Sequence, residues 1–175
     1  LGCDYYATSL HKWLFAPHGT GLLYVRRDKI ADLWPMMAAP ATMDDDIRKF
    51  EEIGTHPAAN YLGIGDALTF HQGIGSKRKT ARLEYLRDYH IARLTDFSDT
   101  RQMPGKAAGI SNVGGEGLDT SELNAWLWRE HKIIGVAINH AEFTGLRISP
   151  SVFTTLEELD RFCEAIERAI THGIA

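Results

Sequence analysis

The sequence of 175 residues has only two cysteines, Cys3 and Cys163, and no long hydrophobic run. Two cysteines cannot build the disulfide framework of a small secreted protein, so they indicate a reducing compartment. No apolar stretch approaches the ~20 residues that a membrane-spanning helix needs. No charged segment leads into an apolar one at the start, although the chain begins without Met. We therefore expect a cytoplasmic protein with no membrane partner, and a targeting signal upstream of residue 1 stays open.

A strong excess of either charge is also missing. The net charge is −4 at neutral pH and the isoelectric point is near 6.1, which argues against a nucleic-acid partner. The hydrophobic fraction of 44% and the charged fraction of 24% are typical of a globular protein and argue against disorder. No group of His, Cys, Asp and Glu residues has the spacing of metal ligands, so we expect no metal site.

The first half of the chain predicts two strands and one helix. Residues 3–9 are rich in strand-forming side chains, and the apolar run 22–25 follows a loop with Gly and Pro. Residues 31–49 contain two prolines and an acidic run, which predicts an irregular surface segment. Pro57 suits the first position of a helix that ends near residue 74. Because these elements do not close into a domain, we expect them to form the edge of a larger α/β sheet.

The second half predicts a helix followed by a β-α-β-β-α arrangement, which is a compact two-layer sandwich. Ser76 is expected to cap the first helix, and Asp119 and Thr155 stand at the starts of the other two. Strands are predicted at 107–113, 132–138 and 143–148. The fold class is therefore α/β.

Lys12 is the strongest candidate for chemistry. It follows the first predicted strand, has Ser9 and His11 beside it, and precedes a Gly-rich loop at residues 16–21. A partly desolvated amine has a lowered pKa and can form a Schiff base with an aldehyde. Hydroxyl and imidazole donors suit a phosphate. From spacing alone, an ordinary surface lysine followed by an ordinary turn is the favoured interpretation.

The pattern around Lys12 is accompanied by others in a consistent order. Ser-Leu-His-Lys-Trp at residues 9–13 precedes Pro-His-Gly-Thr-Gly at 17–21, Phe-Glu-Glu-Ile-Gly-Thr at 50–55 and an Arg-Ile-Ser-Pro motif within 146–160. This series resembles the class V aminotransferase family of fold-type I pyridoxal 5′-phosphate enzymes. Within that family, Trp13 and the Gly-Leu-Arg-Ile-Ser-Pro run are most similar to the isopenicillin N epimerase-like branch.

The resemblance implies a role for each matching residue. Lys12 would form the internal aldimine with pyridoxal 5′-phosphate and move the proton at the substrate Cα. Ser9 and His11 would hold the cofactor phosphate, and Thr55 would contact the phosphate bound to a partner subunit of a homodimer. Arg147 would bind the carboxylate of an amino-acid substrate with its planar guanidinium. Plain structural alternatives stay open: Ser9 could cap a turn, Thr55 a helix, and Arg147 could be a strand-end charge.

The resemblance implies an aminotransferase or an amino-acid epimerase. The cysteine desulfurases of the family carry a nucleophilic Cys before the Arg-containing strand, but residues 137–145 contain none. Cys163 fits the inward face of a helix, so desulfurase activity is disfavoured. The loop histidines His18, His56 and His140 could lie near the site, but a loop histidine is more often a plain surface residue, so none of the three is included among the cofactor contacts.

Family members are much longer than this chain, and most of their cofactor domain precedes the lysine. The resemblance therefore implies the C-terminal part of an enzyme. Residues 1–74 would end the large cofactor-binding domain, and residues 75–175 would form the small C-terminal domain. The alternative is a truncated, non-catalytic fragment that folds and self-associates without the cofactor. A generic α/β binding module would require the ordered motifs to have arisen by chance.

Overall fold

The computed structural model describes residues 2–96, 99–102, 109–114 and 119–174, and for 99–102 it describes the backbone alone. The chain divides into two compact units, Leu1–Gly75 and Ser76–Ala175. Gly75 adopts a positive φ of 83°, which favours glycine, and it ends one helix immediately before the next begins. The identity of the two units as large-domain and small-domain segments stays a prediction.

The first unit contains a two-stranded antiparallel sheet and one long helix. Strand β1 (Tyr5–Ser9) pairs with β2 (Gly21–Val25), and Ser9 lies opposite Gly21. Helix α1 spans Ala58–Ile74, with Pro57 as its N-cap rather than as its first residue. A short 3₁₀ helix, Arg27–Lys29, follows β2. The segment predicted to be irregular contains two more, which begin at Ala41 and Ile47 and span Ala41–Met43 and Ile47–Glu51.

Both faces of this small sheet are exposed. Tyr5, Tyr6, Leu22 and Leu23 each expose 46% of their surface, although all four are large and apolar. A two-stranded sheet with two uncovered faces is marginally stable at best. The exposed surface is therefore the kind that further polypeptide covers in a stable protein.

The second unit is a four-stranded antiparallel sheet with helices. The strand order is β3-β4-β6-β5, and each neighbouring pair is antiparallel. The elements are α2 (Ser76–Leu94), β3 (Asp99–Gln102), β4 (Ser111–Gly114), α3 (Thr120–Trp126), a π-helical turn (Leu127–His131), β5 (Val136–Asn139), β6 (Thr144–Ile148) and α4 (Leu156–His172).

The core of the second unit lies on one face of its sheet. Leu146 and Ile148 of β6 are buried, whereas Arg147 between them is exposed, as the two-residue period of a strand requires. The buried side chains include Leu94 of α2 and Phe162 of α4, so these helices cover the same face. Together they form the predicted two-layer arrangement.

Helix α4 begins directly after Thr155, the residue predicted to stand at its start. The Thr155 hydroxyl accepts a hydrogen bond from the Glu158 amide, and the Glu158 carboxylate accepts one from the Thr155 amide. This reciprocal capping box satisfies two amides that the helix itself leaves unpaired. The outward side of the helix pairs with α2, because Arg93 donates to Asp160 at 2.7 Å and to Glu167 at 3.1 Å.

Two predicted strands differ from those observed. The strand predicted from residue 132 begins only at Val136, because Lys132 adopts a left-handed conformation with φ of 57° that ends the preceding helical turn. The strand predicted at 107–113 is β4 at Ser111–Gly114, and residues 107 and 108 lie outside the described part of the chain. In the described helices, none has both the length and the apolar character to cross a bilayer.

Candidate functional site

The candidate site lies in the loop between β1 and β2. The Leu10 amide donates to the Thr20 carbonyl at 3.1 Å, and the Ala16 amide donates to the Leu10 carbonyl at the same distance. These bonds close residues 10–20 into a compact loop whose ends continue the ladder of the two strands. The loop therefore has a defined shape, and its side chains are held at the end of the sheet.

Lys12 lies in a tight turn of this loop. The Phe15 amide donates to the Lys12 carbonyl at 3.2 Å, and Phe15 has a φ of 65°. A bulky residue in the left-handed region is strained, and such strain concentrates at functional sites. The Lys12 side chain is exposed, and within the described residues it has no hydrogen bond or ion pair. Its amine is thus free to react with or bind another molecule.

His11 and Ser9 lie beside this lysine. His11 is half-buried, and its Nδ1 is buried without a hydrogen-bond partner among the residues the structure describes. The Ser9 hydroxyl, at the exposed end of β1, has no partner within those same residues. Because an unsatisfied buried nitrogen is costly, a ligand that pairs with His11 would remove a penalty of about 1–3 kcal/mol.

Helix α1 supports the loop from one side. The Asn60 side chain donates to the His18 carbonyl at 3.1 Å. One turn further, a Cβ on Gly63 would lie 2.7 Å from Cγ of Pro17, so the helix and the loop approach closely at that glycine. Further along the same helix, the Phe70 ring packs edge-on against Phe15 with centroids 5.8 Å apart.

Thr55 is exposed at a bend in the segment before α1. It does not cap that helix, because Pro57 occupies the N-cap position and no side chain bonds to the cap. His56, the next residue, contacts the Gly54 carbonyl and the Tyr61 ring rather than the loop. Among the described residues, no hydrogen bond joins Thr55 to the Ser9–Lys12 segment.

Arg147 belongs to the second unit. It lies on the sheet face opposite the core, where its cross-strand neighbours are Asn112 of β4 and Val136 of β5. Its guanidinium is exposed, and in the described part of the chain it has no ion pair. The sheet therefore offers an unpaired cation with a two-pronged donor, which suits a carboxylate.

Within the second unit, no described cysteine is placed as a nucleophile beside Arg147. The loop between β5 and β6 turns through a hydrogen bond from the His140 amide to the Phe143 carbonyl, and it contains no cysteine. Cys163 is fully buried in the core, and burial raises the pKa of its thiol to about 12. Over the described ranges, no cluster of three or more His, Cys, Asp or Glu side chains could hold a metal.

The charged groups of the small sheet lie at its other end. Arg26, just after β2, pairs with Asp4 and Asp28. The hydrogen bond from this guanidinium holds the pKa of Asp28 below its usual range. These carboxylates are therefore engaged with Arg26 and are separate from the loop end that carries Lys12.

Ser9, His11 and Lys12 lie together at this end of the sheet because they are close in the sequence, and their roles stay predictions. The structure adds His18, whose ring centroid lies 5.1 Å from that of His11. The sequence alone does not include His18 among the cofactor contacts, and the structure shows its side chain exposed. The sequence feature that points to His18 is the presence of a second histidine after Lys12 in the same Gly-containing loop.

One family model and two relatives bear on the family, and one solved structure bears on the fold. A family model described as "Aminotransferase class-V" matches residues 1–162. The isopenicillin N epimerase of Streptomyces clavuligerus is 28% identical, over 95% of this chain and 47% of that protein. A probable hercynylcysteine sulfoxide lyase of Mycobacterium tuberculosis (strain CDC 1551 / Oshkosh) is 31% identical, over 97% of this chain and 45% of that protein. The apo structure of the cysteine desulfurase of Thermococcus onnurineus NA1 superposes with a TM-score of 0.79 at 21% identity. The superposition covers 95% of this chain and 47% of the desulfurase chain.

The chain spans about half the length of the curated relatives that it matches. The superposition shows that its fold is the corresponding part of a fold-type I enzyme, which confirms the predicted fold class. The cofactor of the family is pyridoxal 5′-phosphate. Because the match extends over residues 1–162, the chain belongs to the class V aminotransferase family.

Proposed function

We propose that these 175 residues are the C-terminal part of a pyridoxal 5′-phosphate enzyme that acts on an amino acid, with Lys12 as its reactive lysine. The single observation that carries this proposal is the grouping at the β1–β2 loop. In the part of the chain that the structure describes, a lysine amine without an ion pair, a hydroxyl and a buried imidazole nitrogen without a hydrogen-bond partner are adjacent there. The partial coverage of the relatives supports the view that other parts of the enzyme lie outside this chain.

The residues present fit the cofactor. Ser9 and His11 would hold its phosphate, and the orphaned Nδ1 of His11 is the polar atom that such an acceptor would satisfy. The Lys12 amine would carry the cofactor aldehyde. When bound, pyridoxal 5′-phosphate supplies an electron sink that acidifies the hydrogen on the substrate Cα.

This chain's own residues would then bind the substrate and move a proton. Once the substrate amine has taken its place on the cofactor aldehyde, the released Lys12 amine would accept the proton from Cα and return it, which is general acid–base catalysis by a positioned side chain. Arg147 would orient the substrate through its carboxylate with two parallel hydrogen bonds. Thr55 would contact the phosphate bound to the other subunit of a homodimer, which suits its exposed position.

The proton handling at Lys12 is common to transamination and epimerisation, and we propose one of these reactions. Sulfur transfer of the desulfurase kind is disfavoured because it needs a reactive thiol beside the substrate. The loop before Arg147 has no cysteine, and Cys163 is buried with its pKa raised to about 12. An elimination that cleaves a carbon–sulfur bond needs no protein thiol. The 31% identity to the probable sulfoxide lyase makes that reaction the second candidate.

The non-catalytic alternative rests on the uncovered surface of the first unit. Both faces of the β1–β2 sheet are exposed, and Trp34 of the same unit exposes 92% of its surface. A chain of this kind could associate with itself through these faces without binding a cofactor. The proposed enzyme and the non-catalytic alternative differ in colour and in mass, because only the enzyme captures pyridoxal 5′-phosphate on a lysine.

The test is capture of the cofactor followed by mass spectrometry. This chain and a longer form of the protein are incubated with pyridoxal 5′-phosphate, reduced with borohydride and digested. We expect a pyridoxyl adduct on Lys12 that is absent from Lys12→Ala and retained in Lys77→Ala, a matched variant at an exposed lysine of α2. An adduct that survives Lys12→Ala would refute the assignment. Oligomers without adduct in both forms would favour the non-catalytic alternative.

A further inference from the structure

We propose that His18 is a positioning residue that fixes the His11 imidazole in the cofactor phosphate site. The inference rests on the proposed function, since it concerns how that site is held in shape. His18 is exposed, and neither the Ser-x-His-Lys motif nor the phosphate-holding roles proposed above include it.

The two imidazole rings lie close together and are tilted relative to one another. Their centroids are 5.1 Å apart and their planes are inclined by 33°. Aromatic rings in this distance range attract one another beyond the area they bury. Such a ring contact needs no hydrogen bond from the His11 nitrogens. His18 can therefore fix the plane of His11 without competing for the buried Nδ1, which has no partner among the described residues.

The backbone of His18 is itself held in place. The side chain of Asn60, 42 residues away in α1, donates to the His18 carbonyl at 3.1 Å. The preceding Pro17 packs against Gly63 of the same helix, and its carbonyl accepts a bond of 2.7 Å from the Thr20 hydroxyl. The next residue, Gly19, has a φ of 84°, which lets the loop turn back sharply after His18.

These contacts make a chain of support from the helix to the site. Helix α1 holds the loop, the loop holds the His18 backbone, and the His18 ring lies against the His11 ring. A half-buried imidazole with a neighbouring ring against it loses little freedom when it binds a phosphate, and such preorganisation increases affinity. His18 thus acts through His11, and its ring matters more than its charge.

The test measures cofactor affinity in the full-length protein with three variants. His18→Ala removes the ring, His18→Phe keeps an aromatic face without nitrogen, and His172→Ala is a matched control at an exposed histidine of α4. We expect His18→Ala to raise the dissociation constant of pyridoxal 5′-phosphate by about 3- to 10-fold, the range that an aromatic pair provides. We expect His18→Phe to restore most of the affinity and His172→Ala to leave it unchanged. Affinity for pyridoxal, which lacks the phosphate, should not change in any variant.

Two outcomes would overturn the proposal. Equal weakening in His18→Ala and His18→Phe would mean that the His18 nitrogens act directly, and no weakening in either would mean that the stack does not matter. Failure of the wild type to capture the cofactor on Lys12 would refute the proposed function instead. In that case ¹³C relaxation of the His11 ring still decides the inference. We expect the ring to become more mobile in His18→Ala but not in His18→Phe, and an unchanged ring would refute the stacking role.

Discussion

Gly145 lies against the carboxamide of Asn112, on the sheet face that carries Arg147. Asn112 is only 2% exposed, and its Nδ2 donates to the Thr144 carbonyl at 3.3 Å. A Cβ on Gly145 would lie 2.7 Å from Cγ of Asn112, closer than real side chains approach. Asn112 is also the direct cross-strand neighbour of Arg147. The glycine therefore leaves room for a buried amide beside the proposed carboxylate-binding arginine.

This packing predicts the effect of adding one methyl group. Gly145→Ala should lower the free energy of unfolding by about 1–3 kcal/mol, because the amide must move out of a filled space. Gly65→Ala in α1 is the control, since a Cβ there meets nothing within 4 Å and alanine favours a helix. Urea denaturation measures both variants. In the Asn112→Ala background the cost of Gly145→Ala should fall, and an undiminished cost would show that the amide is not the obstacle.

His90 should make the second unit sensitive to acid. It is fully buried, its Nδ1 donates to the Leu86 carbonyl at 2.8 Å, and its Nε2 accepts from the Ser111 hydroxyl at 2.6 Å. Burial lowers the pKa of His90 below its ordinary value of 6.5, and the nearby Arg87 lowers it further while Asp88 opposes the shift. The folded state therefore resists a proton that the unfolded state accepts below pH 6.5.

The sign of the pH dependence follows from that difference. Above pH 7 both states are neutral at His90 and the free energy of unfolding is unaffected. As the pH falls below 6.5, the unfolded state gains a proton first and stability falls, by at most about 1.4 kcal/mol per pH unit. Urea denaturation of the wild type and His90→Gln between pH 8 and pH 5 tests this (roughly the range in which histidine titrates). A stability difference that is constant over this range would contradict it.

The sequence predicted the parts of the fold whose cause is local. The start of α4 follows from Thr155 and Glu158, whose side chains cap each other within one turn. The start of β5 could not be predicted in the same way, because the apolar run after Lys132 suits a strand equally well. Only the left-handed backbone at Lys132, which is set where the helical turn ends, delays the strand to Val136.

The same distinction applies to the site. Ser9, His11 and Lys12 are adjacent in the sequence, and the chemistry of a Schiff-base lysine makes their pattern recognisable. The contribution proposed for His18 depends on Asn60, which lies 42 residues away, and no local pattern connects them. Long-range packing of this kind becomes visible only when the chain is folded.

Cys163 should be unreactive in the folded protein. It is fully buried in the core of the second unit, and burial raises the pKa of its thiol to about 12, so almost no thiolate forms near neutral pH. Cys3, in contrast, is only half-buried. Brief alkylation with iodoacetamide at pH 8 should modify Cys3 alone, and both cysteines should react in denaturant. Rapid labelling of Cys163 in the native protein would contradict this and would reopen the question of a nucleophilic thiol.

The role proposed for Arg147 predicts a loss that is specific to carboxylates. Its exposed guanidinium has no ion pair within the described residues, so it can offer two parallel hydrogen bonds to a substrate. Lysine keeps the charge but presents a single point donor, so Arg147→Lys should weaken amino-acid binding by about 10-fold or more. Spectral titration of the cofactor-loaded full-length protein measures this, with the corresponding amine, which lacks the carboxylate, as the comparison ligand. The amine should bind the wild type and the variant alike, because it has no group for Arg147 to contact.

Arg168→Lys, at an exposed arginine of α4, is the matched control and should change neither affinity. If Arg147→Lys weakened the amine as much as the amino acid, Arg147 would support the shape of the site rather than bind the carboxylate.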